Sequence, residues 1–235
     1  TAAKSMSVIT VRAFTPDFDW SMPAPAPVLD VSVDSSFVSN LVLFAGKNPF
    51  EYRLLAGPVT AGKHKIEIKP AASRPTSIAF TIEKITVDSF AEGTPEYLIY
   101  ERSPLLYGRD ENDISDTPLL QWAEVSKTAG GNTGYQYSFV WTNEDGGTRT
   151  ASLMARYGRA VDIEYAIQFT VSPEGKTLSA PFQTIDHEVR QFEGQYSGLR
   201  PIMRDATKNN VFDDKGTTSL LFSFAPFISP EPVTI

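Results

Sequence analysis

Asp162 and Glu164 are the residues of this 235-residue chain whose types and spacing point most directly to chemistry. They lie in the run Val161-Asp-Ile-Glu-Tyr-Ala-Ile-Gln-Phe-Thr-Val171. In a strand, both carboxylates would share one face, with their carboxyl carbons roughly 6 to 7 Å apart. Glycoside hydrolysis uses such a pair, one group as acid and the other as nucleophile or base. His187, between Asp186 and Glu188, is the third candidate catalytic group, because its imidazolium would lie beside two acids. The same region offers the groups of a polysaccharide lyase, in which an arginine neutralises a uronate and a tyrosine or histidine acts as base. Arg156, Tyr157, Arg159 and His187 are the residues for that reading. The plainer alternative for Asp162 and Glu164 is ion pairing with Arg156 or Arg159, or simple solvation.

Two established patterns are absent. A serine hydrolase would show Gly-x-Ser-x-Gly, and Tyr196-Ser197-Gly198 does not satisfy it. Jelly-roll β-glucanases of the laminarinase and lichenase kind carry a Glu-x-Asp-x-Glu strand, and Ala160 stands here where the first glutamate would be.

Metal binding points to hard oxygen donors. Asp110, Asn112, Asp113 and Asp116 crowd one loop, and Asn209–Asp214 forms a second acidic loop. Calcium favours such ligands, although neither loop has the spacing of an EF-hand. Two distant histidines and no cysteine disfavour zinc. For sugar contacts the candidates are the rings of Trp122, Tyr107 and Tyr196, with Arg156 and Arg159 as polar partners.

The composition narrows the partners. A net charge of −7 argues against nucleic acid, which needs a basic face to replace counterions on phosphate. No apolar run approaches the roughly 20 residues of a membrane-spanning helix. Zero cysteines exclude a disulfide scaffold, and 17 prolines with many Ser, Thr, Asn and Gly loops favour an exported protein, periplasmic or extracellular.

The elements that must position these groups are strands. Tyr135, Tyr137, Phe139 and Trp141 alternate on one face of one arm, and Val161, Ile163, Tyr165, Ile167, Phe169 and Val171 on one face of the next. That pattern makes the latter the core face and leaves Asp162, Glu164, Ala166, Gln168 and Thr170 wet. Ser7–Phe14, Leu29–Asp34, Phe37–Phe44, Ile78–Val87 and Leu119–Val125 also read as strands. Phe50–Leu55 and His64–Lys69 read as a hairpin with His64, Ile66 and Ile68 inward, and Thr150–Tyr157 as the one short helix. The fold class expected is an all-β antiparallel sandwich or jelly roll. It forms a single unit, with an alternative division into a smaller amino-terminal sheet over 1–90 and a main sandwich over 91–235. The function expected is binding or degradation of a polysaccharide or other glycan, with a lyase or a non-catalytic adhesive protein as alternatives.

Overall fold

The computed structural model describes residues 4–21, 24–144, 146, 154–155 and 161–229. Strands make up 51% of it and helix 7%, so the all-β expectation holds. The amino-terminal part holds β1 (Lys4–Phe14), β2 (Val28–Val33), β3 (Ser36–Val42), β4 (Phe50–Thr60), β5 (Ile66–Pro70) and β6 (Thr81–Ala91). They form two three-stranded sheets, ordered β4-β1-β6 and β3-β2-β5. The sheets close over one core, in which Ile9, Val11 and Ala13 of β1 meet Leu29 and Val31 of β2. Met6 and Val8, on the other face of β1, enter a second and larger core. Burial on both faces is why β1 reads as an unbroken apolar and β-branched run, Val8-Ile9-Thr10-Val11.

The hairpin expected between Phe50–Leu55 and His64–Lys69 does not form. β4 pairs with β1 and β5 pairs with β2, in different sheets. The reason is length: β4 continues through Gly57, at φ 85, to Thr60, so the chain reaches His64 already at the rim of the sandwich. His64 is accordingly not inward. Its Nδ1 lies 2.6 Å from Oδ2 of Asp34 and its Nε2 2.8 Å from the Thr60 carbonyl.

The rest of the chain adds α1 (Pro95–Tyr100), β7 (Leu105–Tyr107), β8 (Pro118–Lys127), β9 (Thr133–Trp141), β10 (Asp162–Val171), β11 (Thr177–Ser179), β12 (Pro181–Gln183), β13 (Val189–Gln191), β14 (Tyr196–Ser197), β15 (Arg200–Asp205), β16 (Phe212–Asp213), β17 (Leu221–Phe222) and β18 (Phe227–Ile228). One sheet runs β13-β12-β10-β9-β8-β18 with β11 beside β10, and the other runs β14-β15-β7-β17 with β16 beside β15. Tyr137, Phe139, Trp141, Ile167, Phe169, Phe212 and Phe222 fill the core between them. Most pairs are antiparallel, but β15–β7 and β18–β8 are parallel. Leu54 bridges to Phe224, and the Leu55 amide donates to the Ser223 carbonyl at 2.8 Å, which ties β4 to the carboxy-terminal part.

The helix expected over Thr150–Tyr157 lies outside the described residues, apart from Met154 and Ala155. α1 was not part of that expectation. At six residues it is too short to show a period, yet its local signals are present: Thr94 Oγ1 accepts from the Tyr97 amide at 3.3 Å, and Pro95 occupies the first turn. No helix among the described residues is long and apolar enough to cross a membrane.

Candidate functional site

The placement of Asp162 and Glu164 is decided by one residue. In the β9–β10 ladder Asp162 opposes Trp141 and Glu164 opposes Phe139, then the register slips so that Ile167 opposes Tyr137 and Phe169 opposes Tyr135. Directly opposed residues share a face. Asp162 and Glu164 therefore share the face of Phe139 and Trp141, while Ile163 and Tyr165 take the other, which reverses the arrangement that strict alternation predicts. The extra residue is Ala166, fully buried in a β-bulge, and a slip of one residue exchanges the faces of all that precedes it. Asp162 is only 2% exposed, so the two carboxylates do not form a solvent-facing pair.

Asp162 belongs to a buried polar network. Its Oδ2 accepts from Asn210 Nδ2 at 2.9 Å. Arg109 Nη2 lies 3.4 Å from Asn210 Oδ1 and 2.8 Å from Asp116 Oδ2, and Arg109 Nε lies 3.2 Å from Asp205 Oδ2. Burial pushes the Asp205 carboxyl up to about 6, opposed by the charge and hydrogen bonds of Arg109. The loop expected to bind calcium is engaged with the same arginine and a second one. Asn112 accepts from the Arg109 amide at 2.7 Å and donates to the Asp116 carbonyl. Arg74 reaches Asp110 at 2.6 Å and Asp113 at 3.2 Å. Among the described residues no group of three His, Cys, Asp or Glu converges in a way that could hold a metal ion.

Glu164 and His187 are brought together by a residue that sequence reasoning missed. Gln183 Nε2 lies 2.6 Å from Glu164 Oε2 and 3.3 Å from His187 Nδ1. His187 has φ 58 and stands in the turn between β12 and β13, outside their pairing. The turn flanks a cleft of about 380 Å³ that carries Asp186, Arg190 and Glu193. A neighbouring cleft of about 550 Å³ is lined by Tyr107, Gln195, Asp214 and Lys215. Neither contains Asp162 or Glu164. Trp122 lies on the outer face of its sheet, donating to Glu124 Oε1 at 3.1 Å. Tyr196 is half-exposed and meets Phe192 edge-on at 5.1 Å. Arg156, Tyr157 and Arg159 lie outside the described residues.

The least explained charge is Arg200, which opens β15 immediately after the Gly198-Leu199 turn, where Gly198 has φ 65. Arg200 is 7% exposed, and burial pushes its guanidinium down to about 9. Nε donates to the Ser103 carbonyl at 2.8 Å and Nη2 to Ser223 Oγ at 2.9 Å. Both acceptors are neutral, and among the described residues Arg200 has no carboxylate partner. It lines a cleft of about 580 Å³ whose walls include Phe37, Leu55, His64, Leu105 and Ser197. Five stretches of chain meet there, around 33–38, 55–64, 105, 197–200 and 221–223. Sequence inspection passes over Arg200 because the surrounding glycines and Pro201 hide the strand, and nothing local marks an arginine as buried.

No protein-family model, curated protein or solved structure matches the chain.

Proposed function

We propose that this β-sandwich is a carbohydrate-binding protein that recognises a carboxylated sugar, such as a uronate, with Arg200 holding the acidic group. The observation that carries the reading is a cation more than nine-tenths buried, bonded among the described residues only to neutral acceptors, at the wall of a cleft. An unpaired buried charge is costly, and a ligand carboxylate would supply the missing counter-charge through the planar guanidinium fork. Phe37, 48% exposed on the same cleft, offers an apolar ring for a sugar face, and the Ser197 hydroxyl adds a polar contact. The net charge of −7 opposes long polyanions, which favours a terminal or sparse acidic residue over a densely charged polymer.

Recognition is favoured over cleavage because Asp162 is withdrawn into the core and held by Asn210. Export from the cell suits such a ligand and the cysteine-free, proline-rich composition. The test is a glycan array of neutral and carboxylated sugars, followed by titration calorimetry on the hits and a reducing-sugar assay. Binding confined to carboxylated glycans, abolished in Arg200→Met and without turnover, is expected. Equal binding of neutral glycans, or binding that survives Arg200→Met, would overturn the assignment. Release of reducing ends would return the chain to the hydrolase or lyase reading.

A further inference from the structure

We propose that β6 is a self-pairing edge, joining the β6 strand of a second copy of this chain antiparallel about a two-fold axis through Thr86. β6 is eleven residues long, lies at the end of the order β4-β1-β6, and among the described residues pairs with β1 alone. An outer strand of that length presents a row of backbone N–H and C=O groups directed away from its partner. Natural edges are commonly shortened or protected by unmatched charge, and β6 is neither short nor, against itself, mismatched.

The self-match is in the side chains. Lys84-Ile85-Thr86-Val87-Asp88 reads as charge, apolar, hydroxyl, apolar, opposite charge. With Thr86 opposite Thr86, Ile85 faces Val87 of the second copy, and Lys84 faces its Asp88. The symmetry repeats both contacts. Opposite charges and β-branched residues directly across a ladder are favourable pairs. Sliding the copies by one residue opposes Glu83 to Asp88, two acids, or in the other direction Ile85 to Asp88. Sliding by two opposes Ile82 to Asp88, or Lys84 to Phe90. Only the register centred on Thr86 matches charge with charge and apolar with apolar. From Lys84 to Ala91, past the irregularity at Glu83, the ladder to β1 is regular, so these five residues form a continuous pairing surface.

The same pairing covers apolar surface. Ile85 is 41% and Val87 49% exposed. They oppose Val11 and Ile9 of β1, so they extend the face of the amino-terminal core past its rim. Val87 lines an apolar cleft of about 400 Å³ at that rim with Val33 and Ile66. A second β6 would continue the layer with its own Val87 and Ile85. Association through a two-fold edge pairing is isologous and closed, so it stops at a dimer.

The test is sedimentation velocity on the full chain from micromolar to millimolar concentration. A concentration-dependent dimer is expected. Lys84→Asp and Asp88→Lys each turn two symmetry-related attractive pairs repulsive and should weaken it about tenfold or more, whereas the double variant restores the opposition and the dimer. Both side chains are exposed, so unchanged thermal melting of each variant separates lost pairing from lost folding. A monomer at every concentration, or a dimer indifferent to the single exchanges, would overturn the proposal.

Discussion

Asn210 holds Asp162 from 48 positions away, its amide nitrogen 2.9 Å from Asp162 Oδ2 and 3.0 Å from the Asn143 carbonyl. Both side chains are buried, so the contact satisfies a carboxylate that the β10 bulge has turned inward. Asn210 also has φ 58, a left-handed conformation that asparagine tolerates better than alanine. Replacing it with alanine removes a donor from a buried carboxylate and adds backbone strain. Asn210→Ala should lower the unfolding free energy by about 2–4 kcal/mol in a urea titration. Asn210→Gly loses the hydrogen bond without the strain, and should recover about 1 kcal/mol of that loss.

Asp205 gives a pH dependence of unusual sign for a carboxylate. Burial raises its folded value to about 6, well above the ordinary aspartate range, and Arg109, Asn112 and Trp141 only partly offset this. The folded state therefore binds a proton that the unfolded state has released. The contribution of Asp205 is fully present below its unfolded value and is lost as pH rises through about 6. Asparagine does not titrate. The stability of the native chain relative to Asp205→Asn should fall by about 3 kcal/mol between acid and neutral pH, then level off. A relative stability that does not change across this range would count against the protonation account.

His64 acts in the ordinary direction. Its hydrogen bond to Asp34, and then that to the Thr60 carbonyl, raise its value, while the same His64 contact lowers that of Asp34. The stability from His64 is present below its unfolded value and is lost as pH rises through the raised folded value. The stability from Asp34 is lost only in acid, as pH falls through its lowered value. The clasp between the β2–β3 turn and the end of β4 should thus be tightest on the acid side of neutrality. His64→Gln should flatten the alkaline fall in melting temperature, and the His64 ring resonances should titrate above those of a free histidine.

Arg200→Met should separate stability from binding. An apolar replacement of similar length removes the cost of an unneutralised buried charge, and Ser223 Oγ keeps its bond to the Leu55 carbonyl at 2.6 Å. The melting temperature should stay unchanged or rise, with a stability change within about 1 kcal/mol or in the stabilising direction. A loss of several kcal/mol would mean that Arg200 serves the fold, and that its buried charge is not reserved for a ligand.

The sequence by itself determined that the chain is built of strands. Val8-Ile9-Thr10-Val11 and the alternating aromatics of Tyr135–Trp141 have β propensity and a period of two, and both signals are local, so β1, β9 and the pairing of β9 with β10 were legible. It also singled out Glu164 and His187 as candidates, although not the Gln183 amide that lies between them. Which way Asp162 faces was decided only in three dimensions. Ala166 fits either face of a strand, so the bulge leaves no local mark, yet it exchanges the faces of the four residues before it. The partners of Arg109 were equally hidden, because Asp205 and Asn210 lie 96 and 101 positions away. Arg200 had no sequence signal either. Its burial depends on Ser103 and Ser223 closing over it from opposite sides, 97 positions before it and 23 after. Periodicity reports which residues share a face within one segment. The direction of that face, and the charges enclosed behind it, are set by register and by contacts between segments, which exist only once the sheets have packed.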